Sequence, residues 1–314
     1  MALLEIEQLQ VRFGARQIVS DLSLRLEAGQ VLALVGESGS GKSVSTQAIL
    51  GLLDSRAQVS AAQLSYAKTP LLGLSAKARR TLLGREMALI AQDPASALNP
   101  SLSVGYQLKE VLAQHLKLKG AAATQKALEL LEMVEIPAAA SRLSAYAHEL
   151  SGGMNQRVAI AMAIACQPRL LIADEPTTAL DVTVQKQIMA LLKTLQREHN
   201  MAMLLVSHDL ALVAENAEHI CVMYAGQWVE QGATEAVLAA PAHPYTQALL
   251  NALPEHHKPG QRLLSLTGQV PQTPLPGCLL APRCPYKQAP CERPVAPRVF
   301  NQQQVRCLYP QGAV

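Results

Sequence analysis

The sequence has few aromatic residues and no long apolar segment. Only 3% of its 314 residues are Phe, Trp or Tyr, which argues against a surface on which nucleic-acid bases stack. No apolar run approaches the roughly 18 to 20 residues of a membrane-spanning helix. The net charge of +3 is small, and Lys and Arg are spread along the chain, so no nucleic-acid partner is expected.

The N-terminal segment also lacks the pattern of a secretory signal. In MALLEIEQLQVRF, acidic residues interrupt the apolar ones, and a signal peptide would have a basic stretch followed by an apolar core. We therefore expect the chain in the cytoplasm. With 49% hydrophobic residues it can form a substantial core, and its length predicts one large domain with an appendage.

Cysteine is distributed unevenly. Four of the six cysteines fall within thirty residues: Cys278, Cys284, Cys291 and Cys307. Eleven of the nineteen prolines lie in the surrounding segment, between Pro254 and Pro310. Disulfides do not persist in a reducing cytoplasm, so clustered thiols favour a metal centre. The intervals are wider than those of common zinc sites and favour a [4Fe–4S] cluster. Zinc, or buried thiols without metal, are the alternatives.

Short apolar runs alternate with helical patterns along much of the chain. The runs at 31–35, 170–173 and 203–207 predict buried parallel strands, and the spacing of Ile188, Leu191, Leu192 and Leu195 predicts an amphipathic helix. The fold class is therefore α/β with a mostly parallel sheet. Residues 22–26 and a hairpin around Ala225-Gly226 add antiparallel strands.

Two changes in pattern predict the domain organisation. Helical signals dominate from about 93 to 168, which predicts an inserted helical subdomain within a nucleotide-binding domain spanning 1–235. Proline then becomes frequent, so residues 236–314 are expected to form a loop-rich extension that binds metal through its cysteines.

A phosphate-binding loop follows the first predicted strand. The segment consists of Gly36, Glu37, Ser38, Gly39, Ser40, Gly41, Lys42 and Ser43. It matches the P-loop pattern GxxxxGK[ST] at every position that the pattern fixes. Its backbone N–H groups and the helix that follows can surround phosphates. Lys42 is expected to reach the β- and γ-phosphates and Ser43 to ligate Mg²⁺.

An acidic pair ends the predicted strand at 170–173. Alternation along the strand should place Asp174 and Glu175 on opposite sides, where Asp174 can hold Mg²⁺ and Glu175 can act as the general base on the attacking water. Taken alone, such a pair is more often a helix cap or a turn.

The residues from Leu150 to Gln156, LSGGMNQ, resemble the signature motif of ABC-transporter ATPases. This resemblance implies roles for residues elsewhere in the chain. Gln92 matches the Q-loop glutamine near Mg²⁺, Ala179-Leu180-Asp181 matches the D-loop, and His208 matches the switch histidine that contacts the γ-phosphate. Phe13 takes the place of the aromatic residue that stacks on adenine.

The family resemblance covers roughly residues 3–250 and implies an ATPase that works as a head-to-tail dimer. In the family, Ser151, Gly152, Gly153 and Asp181 face the ATP held by the partner subunit. The distance from P-loop to signature leaves no room for the coiled coil of DNA-repair relatives, and translation-associated relatives usually carry two ATPase units. A soluble ABC ATPase acting on nucleic acid or ribosomes is thus the less favoured class.

Finer features resemble the dipeptide and oligopeptide importer ATPases, with the dipeptide type nearest. They are the segments AQDP at 91–94, SALNP at 96–100, ADEPTTALDVTVQ at 173–185 and HPYTQALL at 243–250. The resemblance implies a second ATPase subunit, usually a different chain, two membrane permease subunits and, indirectly, an extracytoplasmic solute-binding protein. It also implies a peripheral position on the cytoplasmic face of the inner membrane. Nickel or another small solute remains an alternative cargo.

Overall fold

A computed structural model describes residues 2–93, 97–178, 180–253, 266–271 and 275–311. Pro94, Ser96 and Ala179, which belong to the motifs above, lie outside the described residues. The chain divides into two units. The first consists mainly of Gly73–Val206, and the second of Leu4–Leu26, Val31–Leu72 and Ser207–Val314.

The strands and helices have the following bounds in chain order. The strands are β1 (Ala2–Phe13), β2 (Arg16–Glu27), β3 (Val31–Val35), β4 (Ala57–Ser60), β5 (Gln63–Tyr66), β6 (Thr69–Pro70), β7 (Met87–Ile90), β8 (Leu170–Asp174), β9 (Ala202–Ser207), β10 (His219–Tyr224), β11 (Gln227–Ala233), β12 (Arg298–Phe300) and β13 (Gln303–Val305). The helices are α1 (Lys42–Leu50), α2 (Ala76–Leu82), α3 (Val104–Leu116), α4 (Gly120–Met133), α5 (Ala139–Arg142), α6 (Gly152–Ile164), α7 (Val182–Glu198), α8 (Leu210–Asn216), α9 (Thr234–Ala239) and α10 (Pro244–Asn251).

The first unit contains the parallel strands β7, β8 and β9, paired in that order. Residues 170–174 and 202–207 are buried along their whole length, as strands covered on both faces should be. Helices α3, α4 and α6 pack against one another in the same unit. In α7 the residues Ile188, Leu191, Leu192 and Leu195 are all buried, which confirms the predicted apolar stripe.

The second unit contains a mixed sheet whose strands follow the order β6-β5-β1-β2-β11-β10-β3. Strands β10 and β11 form the predicted antiparallel hairpin, and β3 lies parallel to β10. One core cluster includes Val35 and Val222 from the sheet, Tyr245 from α10 and Leu280 from the C-terminal extension. The extension therefore shares a core with the strand that leads into the P-loop.

The extension is less irregular than its proline content predicts. Strand β13 pairs antiparallel with β11 and with β12, so it adds a strand to the sheet. Gln303 and Val305 are buried while Gln304 is exposed, and this alternation is what a half-buried strand requires. Over the described ranges, no helix is long and apolar enough to cross a membrane.

Candidate nucleotide-binding site

The P-loop lies in the second unit, between β3 and α1. Gly41 caps α1 with φ 101°, a left-handed conformation that disfavours side chains. The buried Lys42 ammonium donates to the carbonyl oxygens of Gly36 at 2.7 Å and Glu37 at 3.1 Å. Within the described part of the chain, the buried Ser40 hydroxyl has no hydrogen-bond partner. A loop with a buried cation and an unpaired hydroxyl suits a phosphate ligand.

Two neighbouring elements of the same unit support this loop. The Gly226 N–H, in the turn between β10 and β11, donates to the Ser40 carbonyl at 2.9 Å. The Glu37 N–H donates to the Tyr245 hydroxyl on α10 at 2.8 Å, and burial raises the pKa of Tyr245, which keeps that hydroxyl neutral. Tyr245 belongs to HPYTQALL, and the sequence alone did not predict that this segment contacts the P-loop.

The Glu37 side chain also has a partner in the C-terminal extension. Its carboxylate forms an ion pair with Arg283 at 3.3 Å. The same guanidinium donates to the Tyr224 hydroxyl at 3.3 Å and lies 5.7 Å from the centre of the Tyr224 ring. Arg283 belongs to none of the sequence motifs above, and the sequence alone did not predict this contact.

The acidic pair in the first unit departs from the prediction in one respect. Asp174 is the last residue of β8 and is 6% exposed, but Glu175 lies beyond the strand with φ 47°. The expected alternation on opposite sides of a strand is therefore wrong, because the backbone leaves the extended conformation between the two residues. Positive φ at a residue other than glycine is uncommon and is often found at functional positions.

Glu175 lies beside the predicted Q-loop glutamine. The Gln92 side-chain amide donates to Glu175 Oε2 at 2.8 Å, and the Thr178 hydroxyl donates to the same oxygen at 2.9 Å. The Glu175 N–H also donates to the Val206 carbonyl at 2.9 Å. These contacts fix both the backbone and the carboxylate of Glu175.

The turn Ser207-His208-Asp209 follows β9. The Ser207 hydroxyl accepts the Asp209 N–H at 3.0 Å. The Asp209 carboxylate caps α8 by accepting the N–H groups of Ala211 at 2.9 Å and Leu212 at 3.1 Å. His208, held between these two residues, has an exposed side chain.

The signature and the D-loop form two adjacent helix starts in the first unit. Ser151 caps α6 by accepting the Met154 N–H at 3.3 Å, and Asp181 caps α7 by accepting the Val184 N–H at 3.0 Å. A methyl group added to Gly153 would lie 2.8 Å from Val184 Cγ1. Gly153 therefore allows the start of α6 to lie directly against the start of α7.

Phe13 ends β1 in the second unit, where it pairs with Ala57 of β4. Its side chain is half-buried.

The predicted site residues divide between the two units. The first unit holds Gln92, Asp174, Glu175, Ser151, Gly152, Gly153 and Asp181. The second holds Phe13, the P-loop from Gly36 to Ser43, His208 and the four cysteines.

The four cysteines of the extension line one small cavity. It has a volume of about 10 Å³ and is lined by Cys278, Cys284, Cys291 and Cys307 together with His243, two tyrosines and apolar residues. Burial, and then the charges of the other three cysteines, raise the pKa of Cys307 to about 11. Among the residues the structure describes, no three His, Cys, Asp or Glu side chains are placed so that they could hold a metal ion. Four thiols are suitable ligands for a thiolate-bound metal centre. In this conformation, however, their sulfur atoms are not placed to bind one ion together.

A buried carboxylate ties the start of α10 to the sheet. Glu230 on β11 is fully buried and accepts the N–H groups of Ala242 at 2.6 Å and His243 at 3.0 Å. His243 is also buried and accepts the Tyr245 N–H through Nδ1 at 3.1 Å. The segment HPYTQALL is thus anchored at the helix start that carries Tyr245.

Known proteins share these sequence and fold features. Residues 19–178 match the ABC transporter family, and residues 229–291 match the family described as oligopeptide/dipeptide transporter, C-terminal region. The dipeptide transport ATP-binding protein DppD of Haemophilus influenzae is 51% identical over 99% of this chain and 96% of its own length.

Two solved structures have a similar fold. The structure of cbiO1 from Clostridium perfringens, part of the ABC transporter complex cbiONQ, is 27% identical with a TM-score of 0.65, over 76% of this chain and 91% of that one. The ATP-binding cassette MJ0796, a dimer bound to ADP and phosphate, is 25% identical with a TM-score of 0.64, over 74% of this chain and 98% of that one.

These similarities define the class as an ABC-type ATP-binding protein. The chain belongs to the ABC transporter family, in the branch that carries the oligopeptide/dipeptide transporter C-terminal region.

Proposed function

We propose that this protein hydrolyses ATP to drive the uptake of dipeptides and oligopeptides through a membrane permease. Membership of the family makes it the ATPase subunit of a transporter, and its similarity to DppD over nearly the whole chain supports a peptide importer. The observation that carries the hydrolytic part is the Glu175 carboxylate, which follows a buried strand and is fixed by Gln92 and Thr178.

Glu175 is the general base in this proposal. A carboxylate held by two side-chain donors has a defined direction, which a base that orients water needs. Asp174 and Ser43, with Gln92, are assigned to Mg²⁺, and Lys42 to the β- and γ-phosphates. His208 is assigned to the γ-phosphate, and Phe13 to the face of adenine.

A second ATPase subunit would complete each site. The capped start of α6, with Ser151, Gly152 and Gly153, presents backbone N–H groups suited to an anion, and Asp181 caps the neighbouring helix. We assign these residues to the ATP of a head-to-tail partner, which we expect to be a different chain. The dimeric form of MJ0796 supports the pairing of two ATPase subunits.

The remaining partners are those that an importer of this type requires. We propose two permease subunits, an indirect link to an extracytoplasmic solute-binding protein, and a position at the cytoplasmic face of the inner membrane. Nickel or another small solute is the alternative cargo. A soluble ABC ATPase acting on nucleic acid or ribosomes is disfavoured by the match of residues 229–291 to a transporter region.

We also propose that the four cysteines hold a [4Fe–4S] cluster. The supporting observation is the common cavity lined by Cys278, Cys284, Cys291 and Cys307, and thiolates are the usual ligands of such clusters. The segment would have to open around the cluster, since the cavity measures about 10 Å³. Zinc and a metal-free packing of thiols are the competing states.

The proposed function is tested in proteoliposomes that hold the complete transporter. Wild-type complex should import a labelled dipeptide only when MgATP is supplied on the side of the ATPase subunits. Glu175→Gln should retain ATP and lower hydrolysis by about two to four orders of magnitude, whereas Glu132→Gln, at an exposed position of α4, should leave both unchanged. Undiminished hydrolysis by Glu175→Gln would refute its assignment, and uptake of nickel in place of dipeptide would refute the cargo.

A further inference from the structure

Besides Tyr245, a second side chain of the C-terminal extension, Arg283, contacts the P-loop. We propose that Arg283 is a positioning residue for ATP binding, which holds Glu37 and, through it, one of the two carbonyl oxygens that orient Lys42. This inference rests on the proposed ATPase function and adds a residue outside the nucleotide-binding motifs. The contact joins positions 246 residues apart in the sequence.

Arg283 is held rigidly enough to act in this way. Its side chain is 7% exposed. Besides Glu37 and Tyr224, its guanidinium donates to the carbonyl oxygens of Leu266 at 3.3 Å and Thr267 at 3.3 Å. A guanidinium whose donors meet several fixed acceptors loses little freedom in each further contact, so its position defines that of the Glu37 carboxylate.

Glu37 transmits this position to the phosphate-binding lysine. Its carboxylate contacts Arg283, its N–H contacts Tyr245, and its carbonyl oxygen accepts from Lys42 at 3.1 Å. Without the Arg283 contact, Glu37 would be held only at its N–H, by Tyr245. Its carbonyl oxygen, one of the two that accept from the Lys42 ammonium, could then shift. Lys42 would then bind phosphate less tightly, because the ammonium would have to be ordered by the nucleotide itself.

The location of Arg283 links this support to the cysteine segment. Arg283 ends a 3₁₀ turn, Ala281–Arg283, that lies between Cys278 and Cys284. The Cys278 carbonyl accepts the Ala281 N–H at 3.0 Å, so the turn is connected to the cysteines by backbone contacts. A change in the conformation of the cysteine segment would therefore move Arg283.

A double-mutant cycle in the complete reconstituted transporter tests the proposal. Arg283→Gln and Glu37→Gln should each raise the KM for MgATP roughly three- to tenfold, the range for a charged hydrogen bond that is partly exposed. The kcat should change less than twofold, since Lys42 binds phosphate before and during hydrolysis. The double variant should resemble the more affected single variant. Arg283→Lys, which keeps the charge, should recover part of the affinity.

Matched variants separate this effect from general damage to the extension. Arg293→Gln changes an exposed arginine of the same segment and should leave the KM for MgATP unchanged. Tyr245→Phe removes only the hydroxyl that fixes the Glu37 N–H, so it should raise the KM as well, and Tyr286→Phe, at an exposed tyrosine, should not. These variants keep the proposal testable if Arg283→Gln does not fold.

Three results would overturn the proposal. They are an unchanged KM in both Arg283→Gln and Glu37→Gln, strictly additive effects in the double variant, or an equal rise of KM in Arg293→Gln. Failure of the proposed function looks different, because wild-type complex would then show no ATP-dependent uptake at all.

Discussion

At the scale of single residues, Glu230 illustrates how buried charge holds the second unit together. Burial raises the pKa of its carboxyl group, while the hydrogen bonds from the N–H groups of Ala242 and His243 act in the opposite direction. A carboxylate can remain buried when each of its oxygens accepts a backbone N–H, as both oxygens of Glu230 do. The residue connects β11 to the start of α10, which carries the Tyr245 contact to the P-loop.

Glu230→Gln should destabilise the protein. The amide turns one acceptor oxygen into an NH₂ group that faces a backbone N–H, so one buried donor loses its partner, at a cost of about 1 to 3 kcal/mol. Thermal unfolding of the purified chain should show a lower midpoint. Glu235→Gln, at an exposed position in the first turn of α9, is the matched control and should unfold like the wild type. Equal midpoints for both variants would contradict the role given to Glu230.

The candidate nucleotide-site residues could be proposed from the sequence because their motifs are local. The P-loop from Gly36 to Ser43 is one continuous segment, and an apolar run ending in Asp174 reads directly as a buried strand. The sequence pointed to Glu175 as the candidate base but did not predict its backbone conformation. Its positive φ depends on contacts to Val206, Gln92 and Thr178. Such contacts join distant segments and leave no local pattern.

At the scale of elements, the starts of α6 and α7 depend on each other. Both helices begin with a side-chain cap, Ser151 and Asp181, and Gly153 leaves room for Val184. The sequence marks each helix start separately, since capping residues act within one turn. Their mutual packing was not predictable, because it needs the positions of two helices that are separated in the chain.

Gly153→Ala should lower stability through a single contact. The new methyl would lie 2.8 Å from Val184 Cγ1, and overpacking of this kind typically costs about 1 to 3 kcal/mol. Gly152→Ala would meet only Leu180 Cδ2 at 3.6 Å, so its unfolding midpoint should equal or exceed that of the wild type. Adding Val184→Ala to Gly153→Ala removes the clashing methyl group and should recover the lost stability. Absence of any rescue would show that the destabilisation has another cause.

At the scale of the whole molecule, the extension proved more ordered than its composition suggests. The eleven prolines from Pro254 to Pro310 predicted loops and a need for another source of stability. The described part of the extension supplies some of that stability itself, through the pairing of β13 with β11 and the burial of Leu280 in the core of the second unit. Alternation over three residues is too short a signal to identify β13 from sequence.

The last prediction concerns the metal content of the cysteine segment, Cys278 to Cys307. Anaerobically purified transporter should be brown and contain about four iron atoms per chain. Cys278→Ser combined with Cys284→Ser should remove the iron and lower the unfolding midpoint, since a cluster that joins distant ligands contributes to folding. Cys166→Ser, in the first unit, should keep the iron and the unfolding midpoint of the wild type.

Two other outcomes would contradict the cluster. Colourless protein with about one zinc per chain would show that the cysteines form a zinc site. Metal-free protein whose stability is unchanged in the double variant would show that the thiols are ordinary core residues.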